Sequence, residues 1–362
     1  MKKLKKFTLR LIAGANLATI LAMAAVGYSD RVDPVAHPFV GSVGLVFPVL
    51  LAANFAFLVF WALVSVRRTL LPLAGFLVCY GPVRTYCPVN LPHEVPDSGC
   101  VKVLTYNIYY LDTWTHPDNR CDIGYYIRDQ KADIVCLQEI SMHKDKQLIF
   151  FRALNTLYRY TDTATVVHGG DGVAIWSRYP IIGKEHIKYY SPGNISAAFH
   201  LLIEGDTVAV VVNHLETTGL SLEDRRNFRD MLHGDVPARQ MGGESRHLFR
   251  QLGAATALRA PQADSVAAYV DRWRPRSAIV CGDLNDSPIS YVHRTVGRGL
   301  TDCYAAVGNG PGISYHYSCL YVRIDNIFCT DDWEPLSCRV DNSISASDHY
   351  PVLCVLRKRP RH

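Results

Sequence analysis

The first 85 residues are dominated by long uncharged runs, whereas the rest of the chain alternates short apolar runs with polar ones. After the basic start MKKLKKFTLR, residues 11–28 carry no charge, and these 18 residues are close to the lower limit for a helix that crosses a bilayer. A second uncharged run, 38–66, is long enough to cross with tilt. Because a cleaved signal peptide would precede a soluble chain, two anchored helices are favoured over a signal.

A third apolar stretch, 69–83, has only 15 residues and contains Pro72 and Gly75. It is interpreted as either a third, strained span or an interfacial segment. Basic residues favour the cytoplasmic side of a membrane. The chain has two basic clusters, one before the first uncharged run and one after the second, and the two crossings between them place both clusters on the same, cytoplasmic side. If 69–83 also crosses, which we favour, the following domain lies outside the cytoplasm. The clusters are Lys2, Lys3, Lys5 and Lys6, and Arg67 with Arg68.

Residues 86–100, with three prolines, predict a linker between a membrane anchor at 1–85 and a folded domain at 101–362. In that domain the stretch 121–132 and most of 221–273 have helical character, with a break near Gly242 and Gly243. Many strands with a few helices between them predict a four-layer α/β sandwich, in which two mixed β-sheets pack face to face with helices outside. The predicted strands are VKVLTYNIYY, DIVCLQE, GVAIWSRYPI, AAFHLLIEG, DTVAVVVNHLE, SAIVCGDLN, YVRIDNIFC and PVLCVLRK.

Charge and cysteine content narrow the function classes. Nine of the 38 basic residues and four of the 33 acidic residues precede Val101, so the remaining chain carries 29 of each and is formally neutral. A nucleic-acid binder usually has a basic excess, so neutrality disfavours such a partner without excluding it. There are 11 cysteines and no C-x-x-C pair, so the common zinc and redox spacings are absent. Several cysteines lie in apolar runs and are interpreted as small buried hydrophobes.

Nearly every predicted strand of the domain ends in a polar cluster. Apolar strands that finish in carboxylates, amides and imidazoles deliver those groups to one rim, where ligands bind. The pattern therefore predicts a single polar site. Its candidate residues are Asn107, Gln138, Glu139, Asn213, His214, Glu216, Asp283, Asn285, Asp325, Asn326, Ser347, Asp348 and His349.

These residue types suit phosphate-ester hydrolysis assisted by a divalent cation. Glu139, Asp283 and Asp348 offer hard oxygen ligands, which favour Mg²⁺ or Mn²⁺. A bound cation screens phosphate charge and stabilises the charge that develops during in-line attack. Asp283 could deprotonate the attacking water. His214 and His349 could donate to phosphoryl oxygens, and Asp325 could hold the imidazole of His349 in one tautomer.

Six short motifs occur in the order found in the endonuclease/exonuclease/phosphatase superfamily, which the chain resembles from about 101 to 357. Each motif alone is weak evidence, but six in order, each at a predicted strand end, are specific. The sequence GDLNDSP, followed by YHY and RIDNIF, further resembles bacterial membrane-anchored members. The six motifs are TYN at 105–107, LQE at 137–139, NHLE at 213–216, GDLN at 282–285, RIDNIF at 323–328 and SDH at 347–349.

The resemblance implies a role for each matched position. Glu139 is expected to be the main metal ligand with Asn107 beside it, and Asp348 to lie at or near the metal. The catalytic set would have Asp283 activating water, Asn285 positioning water and phosphate, His214 contacting phosphate, and Asp325 pairing with His349. The sequence departs from the family at Asn326, where many members have an aromatic residue, and no change of chemistry is expected from it. Segment 217–262 diverges among members, so it carries no substrate information.

The resulting hypothesis is a Mg²⁺-dependent phosphoesterase held in a bacterial inner membrane by several spans, with a lipid head group or a small phosphate ester favoured as substrate. A nuclease acting on DNA is the first alternative. A non-catalytic module that binds phosphorylated ligands is the second. Such a module would be expected to lack at least one site carboxylate, whereas Glu139, Asp283, Asp325 and Asp348 are all present. Other residues are interpreted as structural: Arg225, Arg226 and Arg229 as a solvated face, Arg259 and Gln262 as the beginning of a helix, and Asp286 as an Asx turn.

Overall fold

The computed structural model describes residues 2–96, 98–111, 119–140, 150, 152–166, 171–233, 238–274, 276–317 and 321–360. Helices make up the N-terminal part, and strands dominate after residue 100. The helices are α1 (Lys2–Gly27), α2 (Pro38–Gly41), α3 (Phe47–Val64), α4 (Leu70–Val78), α5 (Tyr80–Tyr86), α6 (Asn119–Gln130), α7 (Leu222–His233), α8 (Ala238–Trp273), α9 (Tyr291–Val296) and α10 (Cys303–Val307).

The strands form two six-stranded mixed sheets, ordered β11-β12-β1-β2-β4-β3 and β5-β6-β7-β8-β10-β9. Within each sheet one pair is parallel, β1 with β2 and β7 with β8. The strands are β1 (Cys100–Asn107), β2 (Ile134–Gln138), β3 (Tyr160–Thr165), β4 (Gly172–Ser177), β5 (Ile181–Ile187), β6 (Ile195–Ile203), β7 (Asp206–His214), β8 (Ser277–Asp283), β9 (Thr301–Asp302), β10 (Asp325–Cys329), β11 (Trp333–Val340) and β12 (Val352–Lys358).

Alternation of side chains along the strands builds the layers. Val103 of β1 packs between the two sheets with Val210 and Ile279. Its neighbour Leu104 points to the opposite face, where α6 covers the first sheet, and α8 covers the outer face of the second sheet through residues such as Val266. Successive strand residues face opposite sides, so one apolar strand fills two layers of core. The predicted four-layer sandwich is confirmed.

Two details of the predicted elements are wrong. Helix α8 continues through Gly242 and Gly243, because two glycines cost a long helix only about 2 kcal/mol, which its packing face offsets. Residues 234–237, between α7 and α8, lie outside the described part. Arg259 and Gln262 lie in the second half of α8 and do not begin a helix.

The N-terminal helices form a bundle that contains two candidate membrane spans. Segments Lys3–Arg31 and Pro38–Val64 are long and apolar enough to cross a bilayer, by length and composition alone. Residues 69–83 fold mainly into α4 and α5, which are broken at Cys79. Inside the bundle the Trp61 indole donates to Asn16 Oδ1 at 3.2 Å, and Asn54 donates to the carbonyl of Pro72 at 3.0 Å. Such polar contacts between apolar helices fix their mutual register.

The bundle packs directly on the sandwich through segments whose backbones approach closely. A Cβ atom on Gly44 would lie 1.8 Å from the carbonyl oxygen of Ile289, and one on Gly253 would lie 2.4 Å from that of Pro38. The rings of Phe39 and Phe249 are 5.9 Å apart. Only glycine allows this spacing. The division into an anchor at 1–85, a linker at 86–100 and a catalytic domain at 101–362 stays a prediction.

Candidate active site

Strand register brings the predicted polar residues to one end of the two sheets. In the second sheet, His214 of β7 and Asp325 of β10 both pair with Asp283 of β8, so the three side chains lie side by side. In the first sheet, Asn107 ends β1 opposite Gln138, the last residue of β2. The loop before β12 adds Asp348 and His349. The strand ends of both sheets therefore meet at one place.

Asn107 connects the two sheets at this end. Its Nδ2 donates to Glu139 Oε1 at 3.0 Å and to Asp283 Oδ2 at 3.1 Å. Asn107 is fully buried, and its Oδ1 accepts a hydrogen bond from the backbone N–H of Tyr109. Glu139 has a positive φ of 54°, a conformation that costs a non-glycine residue about 1 kcal/mol or more. This turn after β2 aims the Glu139 carboxylate at the carboxylate of the other sheet.

Two histidine–aspartate pairs flank Asp283. His214 Nδ1 lies 2.7 Å from Asp171 Oδ2, and His349 Nδ1 lies 2.7 Å from Asp325 Oδ2. A carboxylate at Nδ1 places a proton on that nitrogen and directs Nε2 away from it. The two Nε2 atoms lie 3.9 Å and 3.7 Å from Asp283 Oδ2. The central carboxylate thus has one imidazole on each side.

Burial and neighbouring charges shift the titration of these groups. Burial disfavours the imidazolium of His214, but the Asp171 carboxylate outweighs it and raises the pKa to about 10. Burial likewise opposes charging of His349, yet Asp325 and Asp283 raise its pKa well above the ordinary value. Burial raises the pKa of Glu139 to about 7, although the His214 charge opposes it. Two imidazolium cations therefore stand among carboxylates that are costly to ionise together.

The residues fit a hard divalent cation. Glu139, Asp283 and Asp348 supply carboxylate oxygens, the ligands that hard divalent cations prefer. Ligand atoms of Asp283, Asp325 and His349 lie within 4.8 Å of one another. Since His349 and Asp325 already satisfy each other, the group is better described as a pair beside Asp283. His214 Nε2 and Asp325 Oδ1 are buried without a hydrogen-bond partner, so both keep capacity for a ligand.

A cavity opens above this cluster and separates the predicted residues into two sets. Its lining includes Glu139, Asp283, Asn285, Asp348 and His349. Asn107, His214 and Asp325 are not among the described residues that line it. They contact the lining residues from inside the protein. His214 Nε2 lies 3.7 Å from Glu139 Oε1 and 3.9 Å from Asp283 Oδ2, and since, of these three groups, only the two carboxylates line the cavity, the imidazole lies behind them. Direct contact between His214 and phosphate stays a prediction that this placement does not favour.

Comparison with known families gives the same picture. The model of the Endonuclease/Exonuclease/phosphatase family matches residues 104–349, more than half of the chain. The chain belongs to this family. Members are divalent-metal-dependent hydrolases of phosphoric esters, so the chain is an enzyme of that class. Residues 9–86 match a second model, a domain of unknown function named DUF8431. No curated protein matches the chain.

Several solved structures share the fold of this chain. They include D. rerio TDP2 complexed with single-strand DNA product, at 15% identity and TM-score 0.52, covering 72% of this chain and 100% of that one. The human nocturnin catalytic domain with bound sulfate has 17% identity and TM-score 0.50, covering 75% and 96%. ANGEL2, a 2′,3′-cyclic phosphatase, has 15% identity and TM-score 0.51, covering 75% and 99%. At these identities the likeness concerns the fold alone.

Asp171 was not among the predicted site residues. Asp171 immediately precedes β4, whereas the pattern used was a polar group that follows a strand. Ser347 lay within a recognised motif, and its hydroxyl donates to the carbonyl of Asn107 at 2.8 Å, which ties the SDH turn to β1.

The three arginines of α7 do not all behave as predicted. Arg226 and Arg229 are exposed or largely so, but Arg225 lines the cavity and donates to the Tyr315 hydroxyl at 2.7 Å. Arg225 is therefore not part of a purely solvated face, because α7 begins at the rim of the cavity. Arg259 forms a buried ion pair with Asp286 at 3.2 Å, and Asp286 also accepts from the backbone N–H of Ser287.

Proposed function

We propose that this protein is a membrane-anchored, Mg²⁺-dependent phosphoesterase that hydrolyses a phosphodiester or a phosphomonoester. The observation that carries the proposal is the Asn107 amide, which joins Glu139 and Asp283 at the floor of the cavity. One carboxylate comes from each sheet, and a histidine–aspartate pair lies on each side. This arrangement combines hard oxygen ligands with hydrogen-bond donors for phosphoryl oxygens.

In this proposal Glu139 and Asp348 would hold Mg²⁺, and Asn107, predicted beside the metal, orients the Glu139 carboxylate through its Nδ2. When bound, the cation neutralises phosphate charge and stabilises the charge that develops in the transition state. Asp283 accepts the proton of the attacking water. Its carboxylate is oriented by the backbone N–H of Asn285, which donates to Oδ1 at 2.7 Å, and by Asn107, which donates to Oδ2 at 3.1 Å. Asn285 lines the cavity beside it and positions water and phosphate.

The two imidazoles provide positive charge at different distances from the cavity. His349 lines the cavity, and its Nε2 can donate to a phosphoryl oxygen while Asp325 holds Nδ1. His214 acts from behind the carboxylates, where its charge stabilises both of them. The two histidines are therefore assigned different tasks, with binding for His349 and electrostatic support for His214.

Glu139→Ala and Asp283→Ala test the proposal in the full-length protein in detergent. Each should lower kcat on a generic phosphodiester by a factor of about 100 or more, because each removes a group required in the transition state. Excess chelator should abolish activity, and Mg²⁺ should restore it. The matched control is Asp331→Ala, which removes an exposed carboxylate from the turn before β11. Full activity in either site variant, or in chelator, would refute the proposal.

A nuclease is the second candidate, since D. rerio TDP2 was solved with a single-strand DNA product. The formally neutral charge after residue 100 argues against it. Turnover of plasmid and single-strand DNA, measured beside the phosphodiester, decides between the two. If DNA were the preferred substrate and its cleavage fell steeply with salt, the nuclease would replace our first candidate.

We propose further that α1, α3 and the segment 69–83, which folds mainly into α4 and α5, cross a bacterial inner membrane and leave the active site outside the cytoplasm. At one end of the bundle Arg68 donates to the carbonyl of Leu9 at 3.0 Å, close to both basic clusters. At the other end Tyr28 donates to the carbonyl of Val78 at 2.6 Å, next to the sandwich. About 19 residues of α1 separate the two ends, roughly 29 Å, which matches the hydrocarbon core of a bilayer.

This topology is tested with reporter domains fused at the C-terminus. A reporter that matures only outside the cytoplasm should be active, and one that requires the cytoplasm should be inactive. The opposite result would mean that α4 and α5 remain at the interface on the cytoplasmic side.

A further inference from the structure

The anchor contributes directly to the wall of the active-site cavity. Ser42 and Leu45, in the segment between α2 and α3, line the same cavity as Glu139, Asp283 and His349. This segment is held in place by close backbone packing, since a Cβ on Gly44 would lie 1.8 Å from the carbonyl oxygen of Ile289. The cavity is therefore completed by residues that belong to the membrane bundle.

The cavity is lined by both charged and apolar side chains, together with neutral polar ones such as Thr218. The carboxylates with His349 described above are named here the charged end. The apolar lining residues are named the apolar wall and include Leu45 of the anchor, Leu220 after β7, Leu252 of α8 and Val322 before β10. A small, water-soluble phosphate ester would leave this wall without a contact. An amphiphile with a phosphate next to an apolar body would fill both parts.

Exposed apolar side chains lie on both sides of the anchor segment in the sequence. Val35 (58% exposed) and Phe39 (64%) precede Ser42–Leu45, and Val49 (65%) follows it. Large exposed apolar side chains are typical of a surface that contacts a membrane or a partner. Because the candidate span Pro38–Val64 contains this segment, the lipid interface is the surface that would cover them.

We propose that the substrate is a phospholipid of the same bilayer, bound with its ester phosphate at the charged end and its apolar body against Leu45, Leu220 and Leu252. The inference rests on the proposed function, because the same carboxylates carry out the hydrolysis. The water oxygen forms a new bond to phosphorus, the phosphorus–oxygen bond to the alcohol breaks, and the proton that Asp283 takes from the water passes to the departing alkoxide, so that no other reactant is required.

The experiment compares matched lipid and soluble substrates on the full-length protein in phosphatidylcholine vesicles with Mg²⁺. Phosphatidic acid and phosphatidylglycerol are each paired with the deacylated ester that has the same head group. The wild-type protein should hydrolyse one lipid with a kcat/KM at least about tenfold above that of its deacylated partner, since burial of apolar surface adds binding energy.

Leu45→Asp should reduce that lipid-to-soluble ratio by about tenfold or more, because a carboxylate in the wall opposes the apolar body. Leu220→Asp, on a different element, provides a second variant if the first does not fold. The control Ile182→Asp changes an exposed apolar residue of β5 outside the cavity lining and should leave the ratio unchanged.

The outcomes separate the two levels of the argument. Hydrolysis of the soluble esters at least as fast as the lipids, or an unchanged ratio in both wall variants, would overturn the lipid substrate while leaving the phosphoesterase intact. No Mg²⁺-dependent hydrolysis of any ester would overturn the proposed function itself.

Discussion

Asp171 shows how a residue outside the cavity can influence its chemistry. Its carboxylate accepts the Nδ1 proton of His214 at 2.7 Å and is itself 6% exposed. The same geometry recurs at Asp325 and His349 on the opposite side of Asp283. Each aspartate thus fixes one imidazole with Nε2 directed at the central carboxylate. The pairing of Asp171 with His214 makes Asp171 a positioning residue for the proposed reaction.

Asp171→Asn is expected to lower kcat by about tenfold to a hundredfold, because an amide next to Nδ1 reverses the tautomer and removes the charge that stabilises the imidazolium. The pH profile should change in a defined direction. In the wild type the pKa of His214 is about 10, so the imidazole keeps its proton up to that pH. The variant lacks the Asp171 charge and should have a lower pKa at His214, so its activity should begin to fall at a lower pH than that of the wild type. An unchanged profile, with the same loss of kcat, would indicate a purely structural role. Asp264→Asn, on the exposed side of α8, is the control.

Gly282→Ala is expected to prevent folding or to lower the melting temperature severely. Gly282 directly precedes Asp283 and has a φ of +119°, and a Cβ there would lie 2.1 Å from the carbonyl oxygen of Asn213. Neither the backbone conformation nor the contact can be kept by alanine. Gly243→Ala, where a Cβ meets nothing within 4 Å, should be neutral or stabilising by up to about 1 kcal/mol. Equal melting temperatures for the two variants would contradict this account.

Most candidate residues could be recognised because they follow predicted strands, and the ends of paired strands lie together. Glu139, Asp283 and His349 are examples that the fold brings to one cavity. Asp171 could not be recognised in this way, since it precedes its strand. Which imidazole faces the cavity also could not be predicted. The order of the motifs indicates which residues lie close together, but it does not indicate which of them line the cavity and which lie beneath its surface.

At the scale of elements, Asp341 ties the β11–β12 hairpin to α6. Its Oδ2 accepts from the Tyr126 hydroxyl at 2.8 Å and from Arg339 at 3.0 Å, and its Oδ1 accepts from the backbone N–H of Ser343. The SDH turn at 347–349 lies in the connection between β11 and β12, so these contacts support the site from a distance. The edge strand β11 was not predicted, because Pro335 and an irregular register at 335–337 interrupt its alternation.

The pKa of Asp341 predicts how stability depends on acid. Burial opposes the carboxylate, but hydrogen bonds from Ser343, Arg339 and Tyr126 outweigh it and lower the pKa to about 2. A lowered pKa stabilises the fold above the ordinary value of 3.8, and this contribution is lost as pH falls towards 2. Asp341→Asn should therefore lower the melting temperature near neutral pH and flatten its decline between about pH 4 and pH 2.

Melting curves recorded across that range on the detergent-solubilised protein check this expectation. The exposed Asp271 of α8 provides the control variant Asp271→Asn, which should keep the wild-type slope. If Asp341→Asn and the wild type lost stability in parallel as pH fell, the contribution of Asp341 would be refuted.

At the scale of the whole molecule, the sandwich could be predicted but its union with the anchor could not. Alternating strands and strand-end motifs predict two stacked sheets, which the structure confirms. The packing of Gly44 on Ile289 and of Gly253 on Pro38 depends on the shapes of two distant surfaces, and no local pattern encodes it. The predicted linker also contacts the sandwich, since the Asn90 amide donates to the carbonyls of Ala305 and Gly308.

Gly44→Ala is expected to separate the bundle from the sandwich, because its Cβ would lie 1.8 Å from the Ile289 carbonyl oxygen. The measurement is limited proteolysis within 86–100, which should be faster in the variant. Gly14→Ala is the matched control, since a Cβ at Gly14 meets nothing within 4 Å. Equal cleavage rates in the two variants would show that the contact between the bundle and the sandwich tolerates the change.

The close packing of Gly44 and Gly253 has a consequence for how this enzyme meets its target. A catalytic unit on a loose tether samples a hemisphere of solvent, whereas one fixed to its anchor stays at constant height above the lipid. Its encounters are then a search in two dimensions, governed by lateral diffusion and surface density. Turnover would therefore depend on the number of target molecules per unit area of membrane and hardly at all on their concentration in the surrounding volume.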